Sequence, residues 1–84
     1  MSIPTLDEIP PRGVVWAYVR GYWRKVRVVE LLPPWKVRVQ FRVGPGGRRS
    51  RRQDVALEWI RLEKPKSGFR VMEGEPPDPP EYHR

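Results

Sequence analysis

The side chains with the clearest capacity for chemistry in this 84-residue chain are its arginines, 13 of them beside four lysines. The guanidinium group presents five N–H donors in a planar fork that matches phosphate oxygens. Four arginines fall within five residues, directly after the glycine-rich residues 44–47: Arg48, Arg49, Arg51 and Arg52. A glycine-rich hinge followed by such a cluster predicts an arm that follows a phosphate backbone or enters a groove. The alternative interpretation is a mobile hairpin tip that is basic by accident.

The net charge of +7 is unevenly distributed along the chain. Residues 12–70 hold 16 of the 17 Lys and Arg but only four of the ten acids, which gives that segment +12. Residues 1–11 carry −2 and residues 71–84 carry −3. A basic middle between acidic ends predicts a polyanionic partner or an acidic protein surface. Solubility alone is the alternative explanation for the basic residues.

The sequence holds few residues suited to catalysis or to metal binding. There is no cysteine, and the single histidine, His83, lies one residue from the C-terminus. The acids are scattered, Ser50 lies among arginines, and residues 44–47 lack the Lys-Ser/Thr ending of a P-loop. We therefore predict a protein that is not an enzyme, with no cofactor, metal site or small-molecule substrate.

Location is predicted from two further features of the chain. No apolar run approaches the roughly 18–20 residues that span a bilayer, and the N-terminus lacks a signal pattern. These features predict a cytoplasmic protein without a membrane partner, associated with the nucleoid if the cell is prokaryotic.

The elements that must position the cations are short β-strands. The clearest is Lys36–Val43, which alternates strictly between an apolar face (Val37, Val39, Phe41, Val43) and a polar face (Lys36, Arg38, Gln40, Arg42). Residues 23–29 place Val26 and Val28 on one face and Trp23, Lys25 and Arg27 on the other. Residues 14–19 and 69–72 are predicted as further strands, and residues 31–34 as a turn.

Residues 54–62 allow two interpretations. The first is a short strand over residues 55–57 followed by a single helical turn. The second is a helix through Leu62 that Asp54 caps, with Val55, Trp59 and Leu62 on one side.

Short strands without a long helix predict an all-β protein, a small five-stranded barrel with a short helical turn before the last strand and extended termini. The domain boundaries that follow are an N-terminal arm (1–11), the barrel (12–72) and an acidic, Pro-rich, disordered tail (73–84). The tail either stays solvated or folds back over the basic face.

The order of these features resembles the Tudor-like branch of SH3-like barrels over residues 13–63. The resemblance rests on strand 14–18, the sequence Arg20-Gly21-Tyr22-Trp23-Arg24, strand 37–41 before a glycine turn, and Val55 to Leu62. Tudor domains that bind methylated lysine or arginine surround the cation with aromatic rings. The resemblance implies cage walls at Tyr18, at Tyr22 or Trp23, and at Phe41.

Cross-strand pairing then predicts the binding face. If Glu30 lies opposite Trp35, Arg27 lies opposite Arg38, Lys25 opposite Gln40 and Trp23 opposite Arg42. Opposed like charges destabilise a sheet unless an anion neutralises them. We therefore predict nucleic-acid contacts from Trp23, Lys25, Arg27, Lys36, Arg38 and Arg42, together with Arg48, Arg49, Arg51 and Arg52. Trp23 would stack on a base, while Trp16, Trp35 and Trp59 would fill the core or the barrel ends.

These observations favour nucleic-acid binding through the phosphate backbone with low sequence specificity. DNA is slightly favoured over RNA as the ligand. An alternative is an adaptor that binds an acidic partner, such as transcription machinery, or a modified peptide through the same basic and aromatic face. A third interpretation is a subunit that oligomerises through its sheet edges.

Overall fold

The computed structural model describes residues 3–66, 71–72, 74 and 76–77, and its regular structure is almost entirely β. Its six strands are β1 (Val14–Val19), β2 (Tyr22–Leu32), β3 (Lys36–Val43), β4 (Arg49–Ala56), β5 (Ile60–Arg61) and β6 (Val71–Met72). The helical segments of this described part are short 3-10 turns at Leu6–Glu8, Pro45–Gly47 and Leu57–Trp59. None of them is long enough to cross a membrane as a helix.

Five strands form one antiparallel sheet in the order β4-β3-β2-β1-β5, and β6 pairs in parallel with β2 at Trp23 and Arg24. The all-β class and the five-stranded antiparallel sheet are thereby confirmed. In the described residues the path ends at β4 on one side and β5 on the other, so the sheet is not closed. Of the predicted strand 69–72, Val71 and Met72 form β6, while Phe69 and Arg70 lie outside the described residues.

The register between β2 and β3 differs from the predicted one. The ladder runs from the Leu32–Lys36 pair to the Arg27–Gln40 pair and shifts between Val28 and Glu30. The predicted pairings of Arg27 with Arg38, Lys25 with Gln40 and Trp23 with Arg42 are therefore wrong. Two causes combine: β2 continues through Leu32, so the turn is at residues 33–35, and a β-bulge inserts one residue.

The core lies on the apolar face of this sheet, and the predicted burial of the β3 side chains Val37, Val39 and Phe41 is confirmed there. Gln40, on the predicted polar face, is buried as well, at 5% exposed. Val37, Val39 and Phe41 are at most 1% exposed, and they pack with Val26 and Val28 of β2. Burying a valine side chain contributes roughly 1.5–2 kcal/mol, so this run of β-branched residues stabilises the strands that carry the cations.

Strand β4 begins earlier than the sequence indicated. It pairs with β3 from Lys36–Ala56 to Val43–Arg49, so the arginine cluster lies mostly on a strand instead of a loop. Residues 49–54 are all exposed at the end of the sheet, and no apolar alternation marks them in the sequence. The prediction of a strand followed by a helical turn is confirmed at Leu57–Trp59, and the alternative helix capped by Asp54 is wrong.

Both ends of the described chain contact the sheet. Ile9, within the predicted arm, is 2% exposed and belongs to the core cluster, and Pro4 is buried. Pro76 and Pro77, within the predicted tail, are buried as well. The Arg27 Nε donates a hydrogen bond of 3.2 Å to the Pro77 carbonyl oxygen. The other tail residues, apart from Gly74, lie outside the described structure.

Candidate nucleic-acid interface

An exposed row of cations follows the open edge of the sheet. Successive strand residues point to opposite faces, so Arg49 and Arg51 share the face of their β3 partners Val43 and Phe41. Arg52 lies on the other face, opposite Gln40, and Arg48 directly precedes β4. We call the four side chains the arginine edge: Arg48, Arg49, Arg51 and Arg52.

The arginine edge has no counter-charge within the described residues. Glu30 and Asp54 both form ion pairs with a different arginine, Arg38, and Asp54 is the nearest acid along β4. Cations on an edge strand also prevent unwanted pairing with other chains. That role explains one or two of them, whereas four within five residues create a field that attracts polyanions.

Arg38 is held by two carboxylates. Its Nε donates to Asp54 Oδ1 at 2.9 Å and its Nη1 to Glu30 Oε1 at 3.2 Å. The bulge in β2 brings Glu30 opposite Arg38, and Asp54 is the β4 partner of the same residue. The hydrogen bond from Arg38 lowers the pKa of Asp54 and raises the pKa of Arg38 itself. Arg38 is therefore neutralised within the chain and is a poor candidate for a phosphate contact.

Two other predicted contact residues lie apart from the arginine edge. Arg27 is half-buried on β2 and bonds the Pro77 carbonyl oxygen. Lys36 lies at the opposite end of β3, where its Nζ is 4.8 Å from the Trp35 ring centroid. The structure thus distributes the predicted contact residues over several surfaces.

A cleft opens where β2 and β3 diverge. Their ladder ends at the Arg27–Gln40 pair, beyond which β2 pairs with β6 while β3 continues alongside β4. The gap is a cavity of about 430 Å³. We call it the basic cleft because four cationic side chains line it: Arg20, Arg24, Lys25 and Arg42. Lys25 and Arg42 were predicted contact residues, whereas Arg20 and Arg24 were missed.

Arg24 is the most deeply buried of these cations, at 9% exposed. Its Nη1 donates across the gap to the Arg42 carbonyl oxygen at 3.2 Å, and its guanidinium lies 5.4 Å from the Phe41 ring centroid. The Arg24 Nε is enclosed and has no hydrogen-bond partner in the described part of the chain. Burial lowers the pKa of the Arg24 guanidinium, and the nearby charge of Arg20 lowers it further. The sequence did hold a signal for this buried arginine, because Arg24 lies two residues before Val26 and therefore on the same, inward face of the strand.

The aromatic residues are arranged differently from a binding cage. Trp23 is 2% exposed instead of solvent-facing, because Tyr18 and Trp59 pack against it with ring centroids 5.5 and 6.5 Å away. The Arg61 guanidinium lies 5.2 Å from the Trp23 ring centroid. Phe41 belongs to the core, and Tyr22 is half-buried on β2. The structure therefore brings Tyr18 and Trp23 together but buries Phe41 elsewhere.

The remaining tryptophans divide between the core and the surface. Trp16 is 7% exposed, as predicted for a core residue. Trp35 and Trp59 are 52% and 46% exposed, so neither lies in the core, and a place at the barrel ends stays a prediction for them. Trp35 lies in the turn after β2, and Trp59 ends the last 3-10 turn, where its ring packs against Tyr18 of β1 and Trp23 of β2.

Comparison of the chain with protein-family models, with curated proteins and with solved structures finds no match.

Proposed function

We propose that the protein binds nucleic acid through the arginine edge and contacts phosphates with little sequence specificity. The observation that carries this proposal is the placement of four exposed guanidinium groups at one open sheet edge, with the neighbouring carboxylates of Glu30 and Asp54 both engaged by Arg38. Cations without local counter-charge bind a polyanion strongly because binding releases the counterions condensed on it.

Low specificity follows from the shape of the interface. Base edges are read by a helix or a β-ribbon that enters a groove, whereas contacts to phosphates only position the protein. In the described residues the helical segments are three-residue turns, which are too short for a recognition helix. The arginine edge points cations to both faces of one strand, an arrangement suited to a backbone that passes along the edge.

The fold proposed to carry this interface is an SH3-like barrel of the Tudor-like type. The strand order β5-β1-β2-β3-β4 and the 3-10 turn between β4 and β5 support this proposal. Such small barrels use surface strands and loops for binding and leave little room for an enclosed active site, which agrees with a binding function.

Substitution of the arginine edge tests the proposal. A variant with Gln at positions 48, 49, 51 and 52 should bind labelled duplex DNA about tenfold or more weakly at about 50 mM salt. Because all four side chains are exposed, the variant should keep the circular dichroism spectrum and the melting temperature of the parent. The measurement is fluorescence anisotropy with DNA and RNA of several unrelated sequences.

The matched control removes similar charge elsewhere. Arg12, Lys64 and Lys66 are exposed cations outside β4, and changing all three to Gln should weaken binding far less. Equal losses in both variants would mean that net charge, and not the arginine edge, governs binding. If neither DNA nor RNA binds the parent protein at low salt, the proposal is wrong, and an acidic protein partner becomes the function to test.

A further inference from the structure

The basic cleft differs from the arginine edge in holding a buried charge. An arginine removed from water loses hydration that a carboxylate normally replaces. Arg24 instead bonds a neutral backbone carbonyl, that of Arg42, and in the described residues no acid pairs with it. Arg20, Lys25 and Arg42 line the same cavity, and the charge of Arg20 repels that of Arg24.

A structural role explains only part of this arrangement. The Arg24 side chain bridges the gap between β2 and β3 by donating to the Arg42 carbonyl oxygen beyond the end of their ladder. An uncharged donor would serve the same carbonyl oxygen without the cost of burying a cation. Three further cations around the cavity add nothing to that bridge.

We propose that the basic cleft binds a phosphate monoester, carried either by the end of a nucleic-acid strand or by a free nucleotide. The strand-end form of this ligand rests on the proposed function, whereas the free-nucleotide form does not. A monoester near neutral pH carries roughly −1.5 to −2 charges and three acceptor oxygens, which suit a cavity lined by four cationic side chains. A phosphodiester carries a single charge and continues in both directions.

The size and lining of the cleft agree with such a ligand. A cavity of about 430 Å³ is larger than a phosphate alone requires and lies at the small end of the range for ligand pockets, which begins at about 300 Å³. Phe41 and Val43 contribute apolar surface beside the cations, and Gly44, Gly46 and Gly47 leave the loop side without bulky side chains. A sugar or base next to the phosphate therefore finds both space and apolar contact.

Binding of matched oligonucleotides tests the cleft. A short single strand with an internal label is prepared with a phosphate at its 5′ end, at its 3′ end, or at neither end. We expect one phosphorylated form to bind about tenfold more tightly than the unphosphorylated strand. Adenosine monophosphate and inorganic phosphate, followed by amide chemical shifts, form the second arm of the experiment.

Two variants and one matched control locate the site. Arg24→Met removes the buried charge and keeps the side-chain length. Arg20→Asn removes an exposed charge, so a loss of binding in this variant does not come from altered core packing. Both variants should lose most of the difference in affinity between the phosphorylated and the unphosphorylated strand. Arg12→Asn is the control, because Arg12 and Arg20 are both exposed arginines with positive φ, at 61° and 52°. The Arg12→Asn variant should leave that difference in affinity unchanged.

The outcomes separate this inference from the proposed function. If strands bind equally well with and without a terminal phosphate, and neither small phosphate shifts the cleft amides, the inference is wrong while nucleic-acid binding stands. If no strand binds but adenosine monophosphate shifts the amides of Arg24 and Lys25, the cleft is supported with a free nucleotide as its ligand. If no strand and no small phosphate binds, the inference is wrong, and the proposed function fails with it if duplex DNA and RNA also do not bind the parent protein at low salt.

Discussion

Arg24 and Arg38 place the same side chain in opposite surroundings, and this contrast separates a candidate ligand site from internal structure. Arg38 is half-buried at the surface and contacts two carboxylates at 2.9 and 3.2 Å. Arg24 is buried and bonds a backbone carbonyl oxygen. The residue types were visible in the sequence, but their partners were not, because the bulge between Val28 and Glu30 decides which side chain lies opposite Arg38.

The Arg38–Asp54 contact predicts a pH dependence at the residue scale. The hydrogen bond from Arg38 lowers the folded-state pKa of Asp54 below its ordinary value of 3.8. The contact therefore stabilises the fold in full above pH 3.8, and this contribution is lost as the pH falls from there through the folded-state pKa. An NMR titration of the Asp54 carboxyl group measures the midpoint directly.

Substitution at Arg38 supplies the control for that titration. Arg38→Met should raise the Asp54 midpoint towards 3.8, whereas Arg42→Met, on the same strand, should leave it in place. A wild-type midpoint at or above 3.8 would contradict the assigned contact.

At the scale of elements, strands that alternate were predictable and strand β4 was not. The alternation of Lys36–Val43 identified β3 and its buried face correctly, because one face packs on the core. Residues 49–54 are exposed on both faces, so their side chains carry no periodic signal. The basic cleft could not be predicted from the sequence either, since it forms where β2 and β3 diverge. Pairing between strands, unlike periodicity within one, depends on bulges and turn lengths.

The N-terminal segment gives a prediction at the same scale. Ile9 is 2% exposed in the core, whereas Ile3 is 55% exposed in the same segment. Ile9→Ala should lower the free energy of unfolding by about 2–4 kcal/mol through lost burial and a cavity. Ile3→Ala should change it by less than about 0.5 kcal/mol. Urea denaturation of both variants measures the difference, and equal effects would show that the segment does not pack as described.

At the scale of the whole molecule, the charge is concentrated around one end of β3. The basic cleft includes Arg42, Val43 and Gly44, and the arginine edge begins at Arg48, so the short turn at Pro45–Gly47 connects the two. The acids that the structure describes on the neighbouring strands, Glu30 and Asp54, contact Arg38. The uneven charge seen in the sequence thus becomes a basic surface with an exposed part and a recessed part. Under both proposals, a nucleic-acid strand that lies along the arginine edge places its terminal phosphate in the basic cleft.

The salt dependence of DNA binding tests the central claim most directly. Each phosphate neutralised on duplex DNA contributes about −0.9 to the slope of log K against log salt concentration, so four contacts from the arginine edge contribute roughly −3.6. The variant with Gln at positions 48, 49, 51 and 52 should therefore show a slope about 3.6 units shallower than the parent protein. Parallel slopes for the two proteins would contradict the claim that these arginines contact phosphates.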